Sequence, residues 1–233
     1  MKLAERKRLM VKALLIDLDG TIVDIAEPCI EAAKEAASTL GFRNIDAKIG
    51  LEIAKKLQSN LSLDEVFAKF GVEKRLGKEF LKAFLKAWYT IAPVKTHPLP
   101  KVNITLQKLS DYFQLALITR RNMPKEPIIK ELERLGFMQY FKFIVTSQDV
   151  EEPKPSPQAF VKAANQLGVS IHDCAVVGDA IVDIQAGKSA GAKTIAVLSG
   201  LFTREELSKQ KPDLIIKDIN ALPDFLQQAK INT

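Results

Sequence analysis

Two carboxylates stand two positions apart where an apolar run ends, in Leu14-Leu15-Ile16-Asp17-Leu18-Asp19-Gly20-Thr21. A strand that delivers paired acids into a turn is costly to bury unless a cation offsets their charge. A calcium loop of the EF-hand type is excluded, because such a loop needs glycine at its sixth position and glutamate at its twelfth. Counted from Asp17, those positions hold Ile22 and Pro28. A structural turn at the strand end stays open as the alternative to a metal or catalytic site.

A second pair of acids follows another apolar run, in Val176-Val177-Gly178-Asp179-Ala180-Ile181-Val182-Asp183. If a helix begins near Ala180, Asp183 lies in its first turn and faces back toward the strand end that carries Asp179. By itself, a helix cap with an acid near the helix N-terminus would produce the same pattern. Together with the first pair, however, it makes four carboxylates at strand ends, and such hard oxygen ligands suit Mg²⁺.

Two further segments could contact an anion. Lys154 stands in Glu152-Pro153-Lys154-Pro155-Ser156-Pro157, where the prolines stiffen the chain and could hold the ammonium as a fixed charge for phosphate. The run Ile118-Thr119-Arg120-Arg121-Asn122 closes a predicted strand, and a hydroxyl beside backbone N–H groups can bind an anion there. Taken singly, each segment also has a simpler explanation. The first could carry a solvated lysine, and the second could be an ordinary loop.

The elements that must position these residues alternate between short apolar runs and amphipathic stretches. Continuous apolar runs between helices indicate a parallel sheet covered on both faces, and right-handed crossovers then give a doubly wound, mostly parallel α/β fold. The predicted strands are Val11–Ile16, Leu115–Thr119, Phe143–Thr146, Ala175–Gly178, Thr194–Leu198 and Asp213–Ile216. The predicted helices are Lys101–Ser110, Pro124–Leu135, Pro157–Leu167, Val182–Ala190 and Ile219–Ala229.

One segment, residues 25–96, departs from this alternation because it shows helical patterns and no convincing strand. An insert after the first strand of a doubly wound sheet is expected over the edge where ligands bind, which is the place of a lid. Pro93 is expected to stop the last inserted helix. The predicted helices of the insert are Ala26–Leu40, Ala47–Gln58, Leu63–Phe70 and roughly Lys74–Tyr89. The predicted domains are a core of residues 10–24 and 97–233, a helical cap of residues 25–96 and a basic extension of residues 1–9.

The composition is that of an ordinary globular protein, with 233 residues of which 47% are hydrophobic, and no apolar run is long enough to span a bilayer. Cys29 and Cys174 are far apart in the sequence and lack the close ligands of a zinc site, so we expect reduced thiols in a cytoplasmic protein. The net charge of +6 is concentrated in residues 1–9 and in the segment Lys69–Lys86. Basic clusters can mark a nucleic-acid surface, but a solvated helix face is the simpler interpretation, and we predict no membrane partner.

The four motifs occur in the order and spacing of the haloacid-dehalogenase-like hydrolase superfamily. The chain resembles the phosphatase branch with a helical cap, the phosphoglycolate phosphatase-like group, from about Lys12 to Lys217. Later features agree with the resemblance, namely Ala186-Gly187 with Gly191, and Gly200 before Arg204. The resemblance implies a Rossmannoid core and a Mg²⁺-dependent phosphatase that hydrolyses small phosphate monoesters through an aspartyl-phosphate.

The resemblance also implies a role for each site residue. Asp17 is the expected nucleophile, and Asp19 is expected to protonate the leaving oxygen and later to activate water. A cation and a lysine are required because a carboxylate that attacks a phosphate dianion is repelled by it. The expected Mg²⁺ ligands are Asp17, Asp19 through its backbone carbonyl, Asp179 and, through water, Asp183. The expected phosphate contacts are Gly20, Thr119, Arg120 and Lys154, of which Lys154 also counts as catalytic.

Arg120 departs from the family pattern, because phosphoglycolate-type relatives often have Asn after the threonine. A guanidinium there could hold a substrate phosphate or carboxylate bidentately, with Arg121 as the alternative arginine. The cap's return linker also departs from the pattern, since Pro100-Lys101 stands where Pro-Gly is usual.

Two other functions stay open: a sugar-phosphate phosphomutase, and a non-catalytic module that binds anions or nucleic acid. An acid at Asp19 argues against the dehalogenases of the superfamily, which lack it. We expect a small phosphorylated metabolite as the partner, in preference to nucleic acid, and a monomer or homodimer.

Overall fold

The computed structural model describes residues 9–42, 46–59 and 62–228. The chain divides into two compact units. The core contains the described residues up to Ile22 and from Pro98 onward, and the second unit runs from Val23 to His97. None of the helices in these described ranges combines the length and the apolar character needed to cross a membrane.

Strands and helices alternate through the core, whereas helices dominate the second unit. The strands are β1 (Leu9–Val11), β2 (Ala13–Ile16), β3 (Val23–Asp24), β4 (His97–Pro98), β5 (Gln114–Ile118), β6 (Phe143–Val145), β7 (Cys174–Gly178), β8 (Lys193–Val197), β9 (Leu214–Ile216) and β10 (Leu226–Gln228). The helices are α1 (Ala26–Thr39), α2 (Ile49–Leu57), α3 (Asp64–Lys69), α4 (Gly77–Lys95), α5 (Val102–Ser110), α6 (Lys125–Arg134), α7 (Gln158–Leu167), α8 (Ile181–Ala190) and α9 (Arg204–Ser208). Short 3₁₀ turns cover Lys74–Leu76, Met138–Tyr140, Ser147–Asp149, Ile171–Asp173 and Ile219–Asp224.

A six-stranded sheet forms the centre of the core, in the order β6-β5-β2-β7-β8-β9. Every neighbouring pair of strands in it is parallel. This is the doubly wound order, in which the chain winds outward from β2 to one edge and then from β7 to the other. The predicted fold class, a doubly wound parallel sheet with helices around it, is confirmed.

The central strands are buried on both faces, which is why their sequences show continuous apolar runs. All four residues of β2 are inaccessible to solvent. On one face of the sheet, alternate strand residues such as Leu15, Ile118 and Val176 pack in one cluster with Phe160 of α7. The Phe160 side chain is fully buried, so α7 is held to the sheet mainly by apolar burial.

The second unit has a hydrophobic core of its own around Phe80 of α4. The rings of Phe42 and Phe67 meet Phe80 edge to face, with ring centroids 6.0 and 6.1 Å away. Helices α1 and α2 approach closely, because a Cβ at Gly50 would lie 2.1 Å from the carbonyl oxygen of Cys29. These contacts join α1 to α2, and α3 and the residues after α1 to α4.

The first and last described strands pair with each other, which the sequence pattern did not predict. β1 runs parallel to β10 with Leu9 aligned to Leu226, and the N–H of Leu9 donates to the carbonyl of Phe225 at 2.8 Å. The single helix predicted over Ile219–Ala229 is therefore wrong in the described residues, where a 3₁₀ helix at Ile219–Asp224 is followed by the strand Leu226–Gln228, and Ala229 lies outside the described residues. The amphipathic pattern is overridden by strand pairing, and Pro223 cannot donate the N–H that a continuing helix needs.

This pairing also shows where the first described strand begins. The core was predicted to begin at residue 10, after a basic extension of residues 1–9, with its first strand at Val11. Leu9 already belongs to β1, whereas residues 1–8 lie outside the described residues. The apolar run Val11–Ile16 is divided at Lys12, so that β1 and β2 enter different sheets.

Helix α4 passes through Pro93 and ends at Lys95, so the predicted stop near Tyr89 is wrong. Pro93 lies in the last turn of the helix. Its missing N–H donor therefore disrupts little of the helix. The N–H of Thr96 still donates to the carbonyl of Ala92 at 3.1 Å.

We expect Phe160→Ala to lower the free energy of unfolding by about 3–5 kcal/mol, because it leaves a cavity under the sheet. Tyr112→Ala is the control, since that ring is 62% exposed and its loss should matter by less than about 0.5 kcal/mol. Urea denaturation followed by circular dichroism measures both variants. A loss at Phe160 no larger than at Tyr112 would contradict the assignment of this ring to the core.

Candidate active site

The predicted site residues lie at the carboxyl edge of the core sheet, where β2 and β7 are neighbours. Asp17 follows β2, and Asp179 follows β7. The N–H of Asp17 donates to the carbonyl of Val177 at 2.9 Å, so the ladder between the two strands continues into the loop. Doubly wound sheets bind ligands at this position, because the connections leave in opposite directions and open a crevice.

Three buried aspartates form what we call the acidic cluster: Asp17, Asp179 and Asp183. One carboxylate oxygen of each lies within 4.8 Å of the others. Thr21 Oγ1 donates to Asp179 Oδ1 at 3.2 Å, and the backbone N–H of Ala180 donates to Asp183 Oδ2 at 3.1 Å. Hydrogen bonds from the loops after β2 and β7 therefore hold two of the carboxylates in place.

Lys154 reaches the acidic cluster from the proline-rich loop before α7. Its side chain is 2% exposed, and Nζ donates to Asp17 Oδ1 at 2.5 Å and to Asp183 Oδ1 at 2.7 Å. A third bond runs from Nζ to the carbonyl of Ile118 at 3.1 Å, and the Lys154–Pro155 peptide bond is cis. One ammonium thus joins the ends of β2 and β5 to the first turn of α8.

Charge is not balanced within this site. Burial raises the pKa of Asp17 to about 7, against the opposing effect of Lys154 and with a further rise from Asp183 and Asp19. Burial, together with Asp17 and Asp183, also raises the pKa of Asp179 well above its ordinary value. The pKa of Lys154 is raised as well, because its two carboxylate partners outweigh burial. Three carboxylates facing one ammonium leave two negative charges, which one divalent cation would balance.

The residues present fit such a cation. Asp179 Oδ2 is buried and accepts no hydrogen bond from the part of the chain that the structure describes. It lies against two glycines, since a Cβ at Gly200 would be 1.7 Å from it and a Cβ at Gly20 would be 2.6 Å from it. An unpartnered carboxylate oxygen beside other hard oxygen ligands is what a divalent metal ion binds. The acidic cluster could therefore hold a metal ion.

Asp19 has a different partner from Asp17, although only one residue separates them. Arg121 donates from Nε to Asp19 Oδ2 at 2.9 Å and from Nη2 to Asp19 Oδ1 at 2.6 Å. The same guanidinium contacts Glu131, from Nη2 to Oε1 at 3.2 Å and from Nη1 to Oε2. Burial alone would lower the pKa of Arg121, but the two carboxylates raise it above its ordinary value.

The remaining predicted contacts lie on the loops around the same edge. Thr119 is buried directly after β5, and its Oγ1 accepts from the N–H of Arg121 at 3.2 Å. The carbonyl of Gly20 accepts from Ser199 Oγ at 2.8 Å. Arg120 is half-buried, and its carbonyl accepts from Ser147 Oγ at 2.7 Å. Its predicted contact with a substrate anion stays a prediction.

Sequence reasoning missed the buried ion pairs of Arg121 with Asp19 and Glu131. One signal was present, because Glu131 lies on the apolar face of α6 with Ile128 and Leu132, and all three are fully buried. An acid within an apolar helical stripe indicates a buried charge that needs a partner. The identity of that partner depends on packing and could not be read from the pattern.

Comparisons with known proteins agree with this geometry. The family model described as haloacid dehalogenase-like hydrolase matches residues 14–197. A phosphoglycolate phosphatase from Aquifex aeolicus is 31% identical over 212 residues, which cover 88% of this chain and 92% of that protein. The pyrophosphatase PpaX of Halalkalibacterium halodurans is 27% identical over 217 residues, which cover 93% and 95%.

A solved structure shows the same fold. The haloacid dehalogenase-like family hydrolase from Streptococcus pneumoniae superimposes with a TM-score of 0.77 at 20% identity, covering 93% of this chain and 99% of that one. The resemblance predicted from the four motifs is confirmed by the family match over most of the sequence. The chain belongs to the haloacid dehalogenase-like hydrolase family.

Proposed function

We propose that the chain is a Mg²⁺-dependent phosphatase that hydrolyses small phosphate monoesters through an aspartyl-phosphate on Asp17. The observation that carries the proposal is the Asp17 carboxylate, which is bonded to Lys154 and lies within 4.8 Å of Asp179 and Asp183. A nucleophilic carboxylate, a fixed ammonium and a candidate metal site therefore occupy one place at the ligand edge of the sheet.

In the first step, an Asp17 oxygen bonds to phosphorus while the bond from phosphorus to the ester oxygen breaks. Asp19 gives its proton to that leaving oxygen. In the second step, Asp19 takes a proton from water, whose oxygen bonds to phosphorus as the bond to Asp17 breaks and phosphate leaves. Lys154 offsets the negative charge on the transferred group in both steps.

Mg²⁺ would be held by Asp17, Asp179, Asp183 and the backbone carbonyl of Asp19, and it would reduce the repulsion between carboxylate and phosphate. The phosphate oxygens are proposed to contact Lys154 and other groups around the same edge. Those proposed groups are the Thr119 hydroxyl, the backbone at Gly20 and the Arg120 side chain.

We propose that the helical unit is a cap that selects the substrate. The unit covers residues 23–97, whereas the cap predicted from the sequence covers residues 25–96. It is inserted between β2 and the remaining strands of the sheet, as caps of this family are. The relatives are named for phosphoglycolate and for pyrophosphate, and we propose phosphoglycolate as the first candidate substrate. The chain is proposed to act in the cytoplasm on a small phosphorylated metabolite, as a monomer or homodimer.

Phosphate release across a panel of esters tests this function. The panel holds 2-phosphoglycolate, pyrophosphate, sugar phosphates and p-nitrophenyl phosphate, each assayed with Mg²⁺. Turnover of at least one alkyl ester supports the proposal. Isomerisation of a sugar phosphate without phosphate release would show a phosphomutase, and no reaction with any member would favour a non-catalytic module.

Asp17→Asn should lower kcat by about a hundredfold or more, because the amide keeps the shape of the side chain but cannot attack phosphorus. Asp173→Asn is the matched control, since Asp173 is 39% exposed and pairs with Lys12 at the surface. Phosphate release and circular dichroism are measured for both. If Asp17→Asn keeps more than about a tenth of the wild-type kcat, covalent catalysis by Asp17 is wrong.

Activity should fall to background in EDTA and return with Mg²⁺, whereas Ca²⁺ should restore little of it. Ca²⁺ prefers more ligands at longer distances, which would loosen the alignment of Asp17 with phosphorus. The rate of phosphate release is measured after dialysis and addition of each ion. Full activity in EDTA would remove the metal from the mechanism, and equal rates with both ions would contradict the geometric argument.

Mg²⁺ binding should weaken as pH falls below about 7, because Asp17 and Asp179 must lose protons before they bind the cation. Because these carboxyl groups have higher pKa values in the folded chain than in the unfolded chain, their protonation at low pH stabilises the metal-free fold. This stabilisation is lost as pH rises through the pKa of the folded state. We therefore expect Mg²⁺ to raise Tm more at about pH 8 than at about pH 5.5. Asp179→Asn should reduce the shift and Asp173→Asn should not. Equal shifts at both pH values would contradict the competition between protons and cation.

A further inference from the structure

The Asp19 carboxylate is held by a guanidinium that approaches it side-on. Nε and Nη2 of Arg121 donate to its two oxygens at 2.9 and 2.6 Å, which is the bidentate geometry that fixes a carboxylate in orientation as well as in position. The pair uses one lone pair of each oxygen, and a carboxylate has about four. Both Asp19 oxygens therefore keep lone pairs for contact with a substrate oxygen or with water while Arg121 holds the carboxylate.

Arg121 is itself held from behind by Glu131. The Glu131 side chain is fully buried on α6, and both of its oxygens contact the guanidinium. Burying such a triad costs free energy that apolar residues of similar volume would avoid, so stability alone does not account for it. The arrangement instead gives Arg121 one orientation, directed at Asp19.

The backbone around Arg121 is anchored to the sheet as well. Its N–H donates to Thr119 Oγ1 at 3.2 Å, and the N–H of Thr119 donates to the carbonyl of Val145 at 3.0 Å. The carbonyl of Arg121 accepts from the N–H of Ser147 at 3.4 Å. The guanidinium is thus fixed relative to the ends of β5 and β6.

We propose that Arg121, held by Glu131, is a positioning residue for the reaction that fixes the Asp19 carboxylate for proton transfer to the leaving oxygen and from water. This inference rests on the proposed phosphatase function. Its distinguishing consequence is that the contribution of Arg121 passes through Asp19. The loss on removing Arg121 should be large where the leaving oxygen needs a proton and small where it does not.

The test is a double-mutant cycle with 2-phosphoglycolate, using Arg121→Met, Asp19→Asn and the variant that carries both. Arg121→Met should lower kcat by about tenfold to a hundredfold and change KM by less than about threefold. In the Asp19→Asn background, the same change should lower kcat by less than about twofold, because the group that Arg121 positions is gone. Independent, additive losses would overturn the proposal.

The leaving group provides a second readout. The initial burst of p-nitrophenolate from p-nitrophenyl phosphate reports phosphorylation of Asp17 with a leaving group that barely needs a proton. Arg121→Met should slow this burst by less than about threefold. An equal loss on the burst and on phosphoglycolate turnover would show that Arg121 acts on something other than proton transfer by Asp19.

Arg121→Met leaves two buried carboxylates facing each other and could fail to fold, so a second variant separates stability from positioning. Arg121→Met with Glu131→Leu removes both members of the supporting pair and restores an apolar contact, so only the Asp19 carboxylate loses a partner and Tm should fall less than in Arg121→Met alone. We expect this more stable variant to keep the loss in kcat, and recovery of kcat together with Tm would show a structural role only. Lys125→Met is the control for cation removal, since Lys125 pairs with Asp149 at 2.9 Å and neither residue belongs to the acidic cluster.

The outcomes for the wild type separate the two proposals. An active wild type with additive losses overturns the role of Arg121 and leaves the phosphatase standing. A wild type that releases phosphate from no ester overturns both.

Discussion

The architecture of the site depends on negative charge that accumulates where parallel strands end. Neighbouring strands β2 and β7 each deliver an aspartate to the same edge, and the helix that follows β7 adds a third. Buried carboxylates at this spacing repel one another, and one lysine offsets only part of their charge. The proline-rich loop follows from this constraint, because its Lys154 supplies a positive counterion. The glycines against Asp179 follow from it as well, because they leave room for the carboxylate.

Two acids of one motif have different surroundings in the structure, which is the condition for the different roles proposed for them. Asp17 faces an ammonium shared with Asp183 and belongs to a set of oxygens suited to a cation. The Asp19 carboxylate faces a guanidinium and is not one of the three carboxylates of the acidic cluster. Pairs of carboxylates that do separate jobs are commonly distinguished in this way, by environment and not by residue type. A turn between them at the end of β2 is enough to send the two side chains to different partners.

The sequence predicted the edge of the sheet and most of its residues, because carboxyl ends of parallel strands meet at one edge whatever the helices do. Asp17 and Asp179 could be placed together for that reason, whereas Lys154, which lies in a loop well after β6, was placed there by the family resemblance. The ion pair between Arg121 and Glu131 could not, since it depends on how α6 packs. The terminal strand was missed for a related reason: an amphipathic pattern at Ile219–Ala229 is compatible with a helix, and only pairing with the distant strand β1 makes Leu226–Gln228 extended. A local sequence pattern predicts a helix or a strand well when burial of that segment determines its structure. It predicts poorly when pairing with a distant strand determines it.

The central place of β2 in the sheet has a consequence for how the chain emerges from the ribosome. Ile16 aligns with Leu117 on one side and with Val177 on the other, so β2 is made long before either of its neighbours. The helical unit, whose own core packs around Phe80, is complete well before the second of these partners appears. A nascent chain therefore carries an unpaired apolar strand ahead of a folded helical segment, which is the kind of exposed edge that invites aggregation. The strand that ends at Asp17 is the first of the sheet to be synthesised, and both of its neighbours follow the whole helical unit in the chain.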